Sequence, residues 1–395
     1  MATAQFPSDP SSLVDSLLEL AVSEKATDLH LAPFTAGCVV RVRVDGLLRE
    51  IHNIDMELVP KVVSRIKVLA EIDIAEKRRP QDGRITRQIA QRFVDFRVSI
   101  IPSLHGESVV LRILDRDSTV RTTHQLGFPE NEARIFSDLL SAPSGILVVT
   151  GPTGAGKTTT LYSALLALAT PERNVITIED PIEYEIPGVI QLPVQARLGN
   201  TFANLLCSIL RHDPDVIMVG EIRDSETADV AVRAALTGHL VLTTLHTQRA
   251  ADAVTTLLNF GVKPFALAPA LRGVLAQQLI REICPHCKTR FEYGETILAS
   301  PDFEGLLKPG ETPSFSVGLG CEHCFRSGYR GRRAILEILQ VDGPIQELIL
   351  RSASAGEIER AAEVAGMSTL KRNGFRCILE GRTTVEEVLR TVQVS

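Results

Sequence analysis

One octapeptide constrains this chain more than any other stretch of it. Gly151-Pro152-Thr153-Gly154-Ala155-Gly156-Lys157-Thr158 fits G-x-x-x-x-G-K-[ST]. The apolar run Ile146–Thr150 precedes it, and a helical pattern from Thr159 to Ala169 follows. That strand–loop–helix context sets aside a chance match in a glycine-rich turn. Glycines let backbone N–H groups wrap phosphates, and the helix N-terminus adds the positive end of its dipole. Lys157 then reaches the β- and γ-phosphates and Thr158 offers its hydroxyl to Mg²⁺, so the expected ligand is ATP with Mg²⁺.

Further apolar runs, Val175–Ile178 and Val216–Val219, alternate with helical patterns, which predicts an α/β domain with a mainly parallel, helix-covered sheet. Ligands of such sheets bind outside the carboxyl ends of the strands. Two of these runs end in acids: Glu179, Asp180 and Glu183 after the first, Glu221 after the second. These are candidates to hold Mg²⁺ waters and to align the attacking water, with Glu221 the first choice as base and Glu179 its rival. A third strand is bracketed by His239 and His246, and its place after the second acidic element favours a γ-phosphate-sensing role for one of them.

At 395 residues the chain exceeds the roughly 250–300 at which single cores stop growing, so two or more domains are expected. Hydrophobic residues at 44% and charged residues at 23% are the usual balance of a globular protein and suggest neither disorder nor a fibrous repeat. A net charge of −6 argues against bulk nucleic acid as the main partner. No apolar run approaches the ~20 residues of a membrane span, and the N-terminus is polar. The chain is therefore expected in the cytoplasm, with any membrane work done through a partner.

Residues 11–26 read as an amphipathic helix, and Val39–Val44, Phe93–Ile100 and Ser108–Leu114 as strands, giving a small α+β domain over 1–117. A polar linker is placed at 118–125, the nucleotide core at 126–280, a cysteine-bearing insertion at 281–330 and a helical C-terminal part at 331–395. Cys284-Pro-His-Cys287 and Cys321-Glu-His-Cys324 supply four thiolates, the donor set of a closed structural Zn²⁺ site; a redox pair needs only one such motif. His286 and His323 are expected to face solvent. Cys38, Cys207 and Cys377 are expected to be small core residues. Lys77 to Arg84 gathers four cations around an expected turn, open to three readings: a solvated loop, a nucleic-acid contact, or arginines (Arg84, with Arg97 and Arg112) that reach a γ-phosphate.

These motifs, in this order, resemble the secretion-ATPase superfamily, most closely the assembly ATPases of type II secretion and type IV pili. The likeness is carried by Ala26–Leu31, Arg79–Arg84, Asp95–Ser99, Gly106–Arg112, the glycine loop, Ile178–Tyr184, Leu210–Asp224, Thr237–Thr247 and both cysteine pairs. It implies a RecA-like ATPase domain and a homohexameric ring in which ATP turnover moves two domains of each subunit. The partner it implies is an inner-membrane platform protein that feeds pilin-like subunits into a pseudopilus or pilus. The acidic box of the family falls on Glu179, Asp180 and Glu183, and its histidine box on His239 and His246. The four cysteines favour assembly over retraction motors. Larger members carry an extra N-terminal docking domain, whereas this chain begins a few residues before the domain that follows it.

Overall fold

The structure, a computed structural model, describes residues 6–115, 122–291, 303, 306 and 315–392. The chain divides into two compact units, Met1–Val120 and Arg121–Ser395. Of the expected linker, residues 118–121 lie outside the described residues, and Thr123–Leu126 forms a short 3-10 turn. Much of the expected insertion, including 292–302 and 307–314, also lies outside them.

The first unit is an antiparallel sheet of six strands: β1 (Asp28–Phe34), β2 (Gly37–Val44), β3 (Leu47–Ile54), β4 (Gln81–Ile89), β5 (Arg92–Ser103) and β6 (Gly106–Asp115), in the order β3-β2-β1-β6-β5-β4. Period-two alternation sends Leu29, Leu31, Val40, Val42, Ile85, Phe96, Val98 and Leu111 to one face, where they join helices Pro10–Ser23 and Val59–Leu69 in a single core. The other face is mixed, carrying exposed Phe93 and Ile101 as well as Arg84 and Arg112. Residues 81–84, expected in a turn, open β4 instead. Asp82-Gly83 looks like a turn dipeptide, but Gly83 is small for a different reason: a Cβ there would stand 2.6 Å from the Ala70 carbonyl oxygen at the end of helix Val59–Leu69.

The second unit is built on a seven-stranded sheet: β7 (Gly145–Thr150), β8 (Val175–Glu179), β9 (Ile190–Pro193), β10 (Val216–Val219), β11 (Leu240–Leu245), β12 (Leu271–Ile283) and β15 (Tyr329–Gln340), in the order β15-β12-β7-β11-β10-β8-β9, with β13 (Lys288–Phe291) and β14 (Phe315–Gly318) paired in a separate small sheet. Every neighbouring pair is parallel except β12–β15. Alternate residues of the central strands enter two cores: Ile146, Val148, Ile217 and Val241 on one face, Leu147, Val149, Met218 and Leu242 on the other. Burial on both faces is why these strands are continuous apolar runs. The α/β, RecA-like class expected from the sequence is the fold observed.

The C-terminal part is helical only from Gly343 onward. Residues 331–340, expected to be helical, continue β15, because Ala334–Leu339 is buried throughout and such a run has no diagnostic period. Cys38 and Cys377 are buried as expected; Cys207 is exposed, on the outer side of helix Phe202–Ile209. None of the described helices is long and apolar enough to cross a membrane.

Candidate nucleotide site

The glycine loop leaves the carboxyl end of β7 and runs into helix Lys157–Leu168. Gly154 and Gly156 adopt positive φ of 80° and 87°, which an L side chain resists. Pro152, Thr153, Gly154 and Thr158 are exposed, Thr159 half-buried and Ala155 buried, so the loop presents its outer rim and keeps one residue inside. Lys157 Nζ donates to the carbonyls of Gly151 (2.6 Å) and Pro152 (3.2 Å) and lies 3.4 Å from His246 Nδ1. Burial holds the Lys157 ammonium below the usual lysine range, with Glu221 opposing that shift.

His246 follows β11 directly, and its Nε2 lies 3.2 Å from Glu221 Oε2. Glu221, just past β10, is gripped on its other oxygen by Arg223 Nη2 at 2.6 Å. A continuous chain, Lys157–His246–Glu221–Arg223, therefore crosses the carboxyl ends of β7, β11 and β10. A His246 tautomer with its proton on Nε2 accepts from Lys157 and donates to Glu221.

Glu179 ends β8 and is buried. Its Oε1 accepts from Thr177 Oγ1 (2.6 Å) and Gln191 Nε2 (3.0 Å), and its Oε2 from the Tyr162 hydroxyl. Burial first, then the Glu179 charge, pushes the Tyr162 phenol far up, so it stays a donor. The Glu183 backbone N–H in turn donates to that phenol oxygen at 3.2 Å. Asp180 is exposed beside the cis Asp180-Pro181 bond.

His239 is a correction. It precedes β11, where its Nδ1 faces the Ala234 carbonyl at 2.8 Å and Thr237 Oγ1 at 3.2 Å. A strand of six residues at ~3.3 Å each separates it from His246. It therefore sits at the end of the sheet opposite the glycine loop and cannot sense a phosphate bound there.

Arg84, Arg97 and Arg112 belong to the first unit and form a cross-strand row on the sheet face away from its core: Arg84 pairs with Arg97, Arg97 with Arg112, and Arg112 with Asp28. Arg84 makes a two-point contact with the buried Asp95, Nη2 to Oδ2 at 2.7 Å and Nε to Oδ1 at 3.3 Å. Arg112 Nε donates to Asp28 Oδ1 at 3.2 Å.

The four cysteines converge at the ends of β12 and β15. Their Sγ atoms all lie within 4.8 Å of one another; Cys284–Cys321 and Cys287–Cys324 are 3.8 Å apart, and Cys321–Cys324 3.7 Å. Four sulfurs at the ~2.3 Å Zn–S bond length in a tetrahedron stand about 3.8 Å apart, so the set fits Zn²⁺. Backbone N–H groups of Gly320, Cys321 and Gly328 point at Cys287 and Cys324 sulfurs at 3.1–3.3 Å, as thiolates require. His286 and His323 are exposed and stack on each other with ring centroids 4.0 Å apart, outside the sulfur cluster.

Three residues that sequence reasoning missed shape the site: Tyr162, Arg223 and Gln277. Gln277 had a readable signal, a polar residue in the middle of an apolar strand, but nothing in the sequence names its partner.

A glycine phosphate loop on a central parallel strand, with acids and a histidine ending its neighbours, defines a P-loop nucleoside triphosphatase of RecA-like architecture. The profile of the family described as "Type II/IV secretion system protein" matches residues 9–390, and the chain belongs to that family. Type II secretion system protein E of Pseudomonas aeruginosa is 48% identical over 381 residues, covering 96% of this chain and 75% of that one. The type IV pilus assembly ATPase PilB of Thermus thermophilus is 44% identical over 387 residues, covering 96% of this chain and 43% of that one. Among solved structures, the Legionella pneumophila ATPase DotB superposes with a TM-score of 0.73 at 21% identity, covering 98% and 97% of the two chains, a likeness of fold. The resemblance drawn from the motifs is borne out.

Proposed function

We propose that this chain is an ATPase that powers type II protein secretion, turning over ATP in a homohexameric ring on the cytoplasmic side of the inner membrane. The observation that carries the enzymatic reading is the Lys157–His246–Glu221 chain. It links the lysine of the phosphate loop to a carboxylate at the next strand end but one, as a γ-phosphate and its attacking water require. ATP phosphates draw Lys157 away from the Gly151 and Pro152 carbonyls. Thr158, with Asp180 and Glu183, would hold Mg²⁺, whose charge would offset that developing on the phosphates. Glu221 positions the water and His246 reports the γ-phosphate. Glu179, with both oxygens engaged, holds the loop bearing Asp180 and Glu183.

Zn²⁺ on Cys284, Cys287, Cys321 and Cys324 stabilises the insertion and takes no part in the reaction. The partner is an inner-membrane platform protein. The secretion reading is favoured over pilus assembly because the match to the secretion protein is higher in identity and covers more of that relative. A regulatory scaffold that only binds nucleotide would need Lys157 but not His246 and Glu221. Mg²⁺-dependent phosphate release from the purified chain is the test: Lys157→Ala is expected to abolish it, and equal release from variant and wild type ends the ATPase reading.

A further inference from the structure

Beneath the glycine loop lies Gln277, on β12 one residue beyond the Ala276–Thr150 pair and 3% exposed. Its amide is used at both ends. Nε2 donates to the Ala155 carbonyl at 2.6 Å, and Oε1 accepts from Thr160 Oγ1 at 2.7 Å. The loop is wound closely around it: a Cβ on Gly156 would stand 2.8 Å from Gln277 Nε2, and one on Gly151 would overlap the Gln277 carbonyl oxygen.

We infer that Gln277 is a positioning residue for phosphate binding, the internal post that holds the glycine loop in its nucleotide-receiving form. In a trans peptide the C=O of one residue and the N–H of the next point in opposite directions. Drawing the Ala155 carbonyl inward onto Gln277 therefore turns the Gly156 N–H outward, toward the side from which phosphates approach. Thr160 decides which end of the amide faces the loop. Its hydroxyl is placed by the first turn of helix Lys157–Leu168 and donates to Oε1, which leaves Nε2 for Ala155. One buried side chain thus ties loop, helix and strand β12 together. Without it the 155–156 peptide is free to flip, and each flipped molecule must be turned back before phosphate binds.

The inference rests on the reading of Gly151–Thr158 as the nucleotide site, and the experiment separates the two. ATP affinity of the full chain is measured by titration calorimetry for wild type, Lys157→Ala and Gln277→Met, a swap that keeps length and volume but removes both hydrogen bonds. The expected result for Gln277→Met is a dissociation constant raised about 10-fold or more, since one buried carbonyl loses its donor. KM for ATP should rise in parallel, with kcat at saturating ATP within about threefold of wild type. The nucleotide-free thermal midpoint should move by less than about 3 °C, a pattern that a purely structural role does not produce. Wild-type affinity in folded Gln277→Met, with binding lost in Lys157→Ala, overturns the inference alone. Wild-type affinity in Lys157→Ala overturns the nucleotide site and the inference with it. Should Gln277→Met fail to fold, Gln277→Leu carries the test: it too removes both hydrogen bonds and adds no charge. The same loss of affinity supports the inference, and unchanged affinity sinks it.

Discussion

Glu179 and Glu221 end neighbouring parallel strands, yet their surroundings differ enough to assign them different work. Glu179 is buried and accepts from Thr177, Gln191 and Tyr162, so its carboxylate is tied into the protein on both oxygens. Glu221 is held by two exposed side chains, His246 and Arg223, which incoming phosphate can displace. Glu221→Gln is therefore expected to lower kcat by about 10²–10⁴ with ATP binding retained, as loss of a water-orienting base does. Glu179→Gln should cost less in kcat. Single-turnover hydrolysis with both variants checks this, and the reverse order would reassign the base to Glu179. The two acids were legible in the sequence as the ends of apolar runs. The choice between His239 and His246 was not, because two residues bracketing one strand look equivalent until strand direction is known.

Among the elements, the antiparallel β12–β15 pair joins several parts of the second unit. Its middle supports the glycine loop, its far end carries the cysteines, and helix Val385–Thr391 packs against it through Glu387. Burial alone would raise the Glu387 carboxyl, but hydrogen bonds from Arg390 and Arg281 outweigh it and bring the group down to about 2. A folded-state value below the ordinary 4.5 means the stabilisation is complete above pH 4.5 and is lost as pH falls from there toward 2. Glu387→Gln should cost roughly 2–3 kcal/mol at pH 7, with the gap to wild type closing by about pH 2. Thermal melts of both proteins at pH 7 and pH 3 measure this; a gap of the same size at both pH values would contradict it. Beside that contact, at the same end of β12, one zinc per chain is expected by elemental analysis of protein purified under reducing conditions. Cys284→Ser should lower the thermal midpoint more than it changes ATP affinity, and zinc-free wild-type protein of unchanged stability would refute the metal assignment.

At the scale of the whole molecule, the first unit has no phosphate loop of its own but carries three arginines in one row. Asp95 and Asp28 fix the two outer guanidiniums in place, which is how a cation is pre-oriented for a charge that arrives later. A positioned arginine on a γ-phosphate is worth about 10³–10⁵ in rate. If Arg84 serves the nucleotide of an adjacent subunit, mixing Arg84→Ala subunits with Lys157→Ala subunits, each inactive alone, should restore ATPase activity. Some sites in the mixed ring then pair an intact loop with an intact arginine. No recovery in rings verified as mixed would confine Arg84 to its own subunit or to no catalytic role.

Local chemistry alone determined a good deal of this protein. The phosphate loop, the acid-ended strands, the cysteine pairs and the α/β class all follow from short-range patterns, because each rests on residue type and spacing within a dozen positions. Tertiary structure decided what depends on which strands lie side by side and which way they run. Strand direction put His239 and His246 at opposite ends of the sheet, and antiparallel register aligned Arg84, Arg97 and Arg112 although Arg84 and Arg112 are separated by more than two dozen residues. Pairing of β12 with β7 brought Gln277 beneath a loop more than a hundred residues earlier in the chain. Residues 331–340 became a strand because β12 offered an edge to pair with, and a short buried run such as Ala334–Leu339, apolar except for Glu337, fits a helix or a strand equally well until such a neighbour exists.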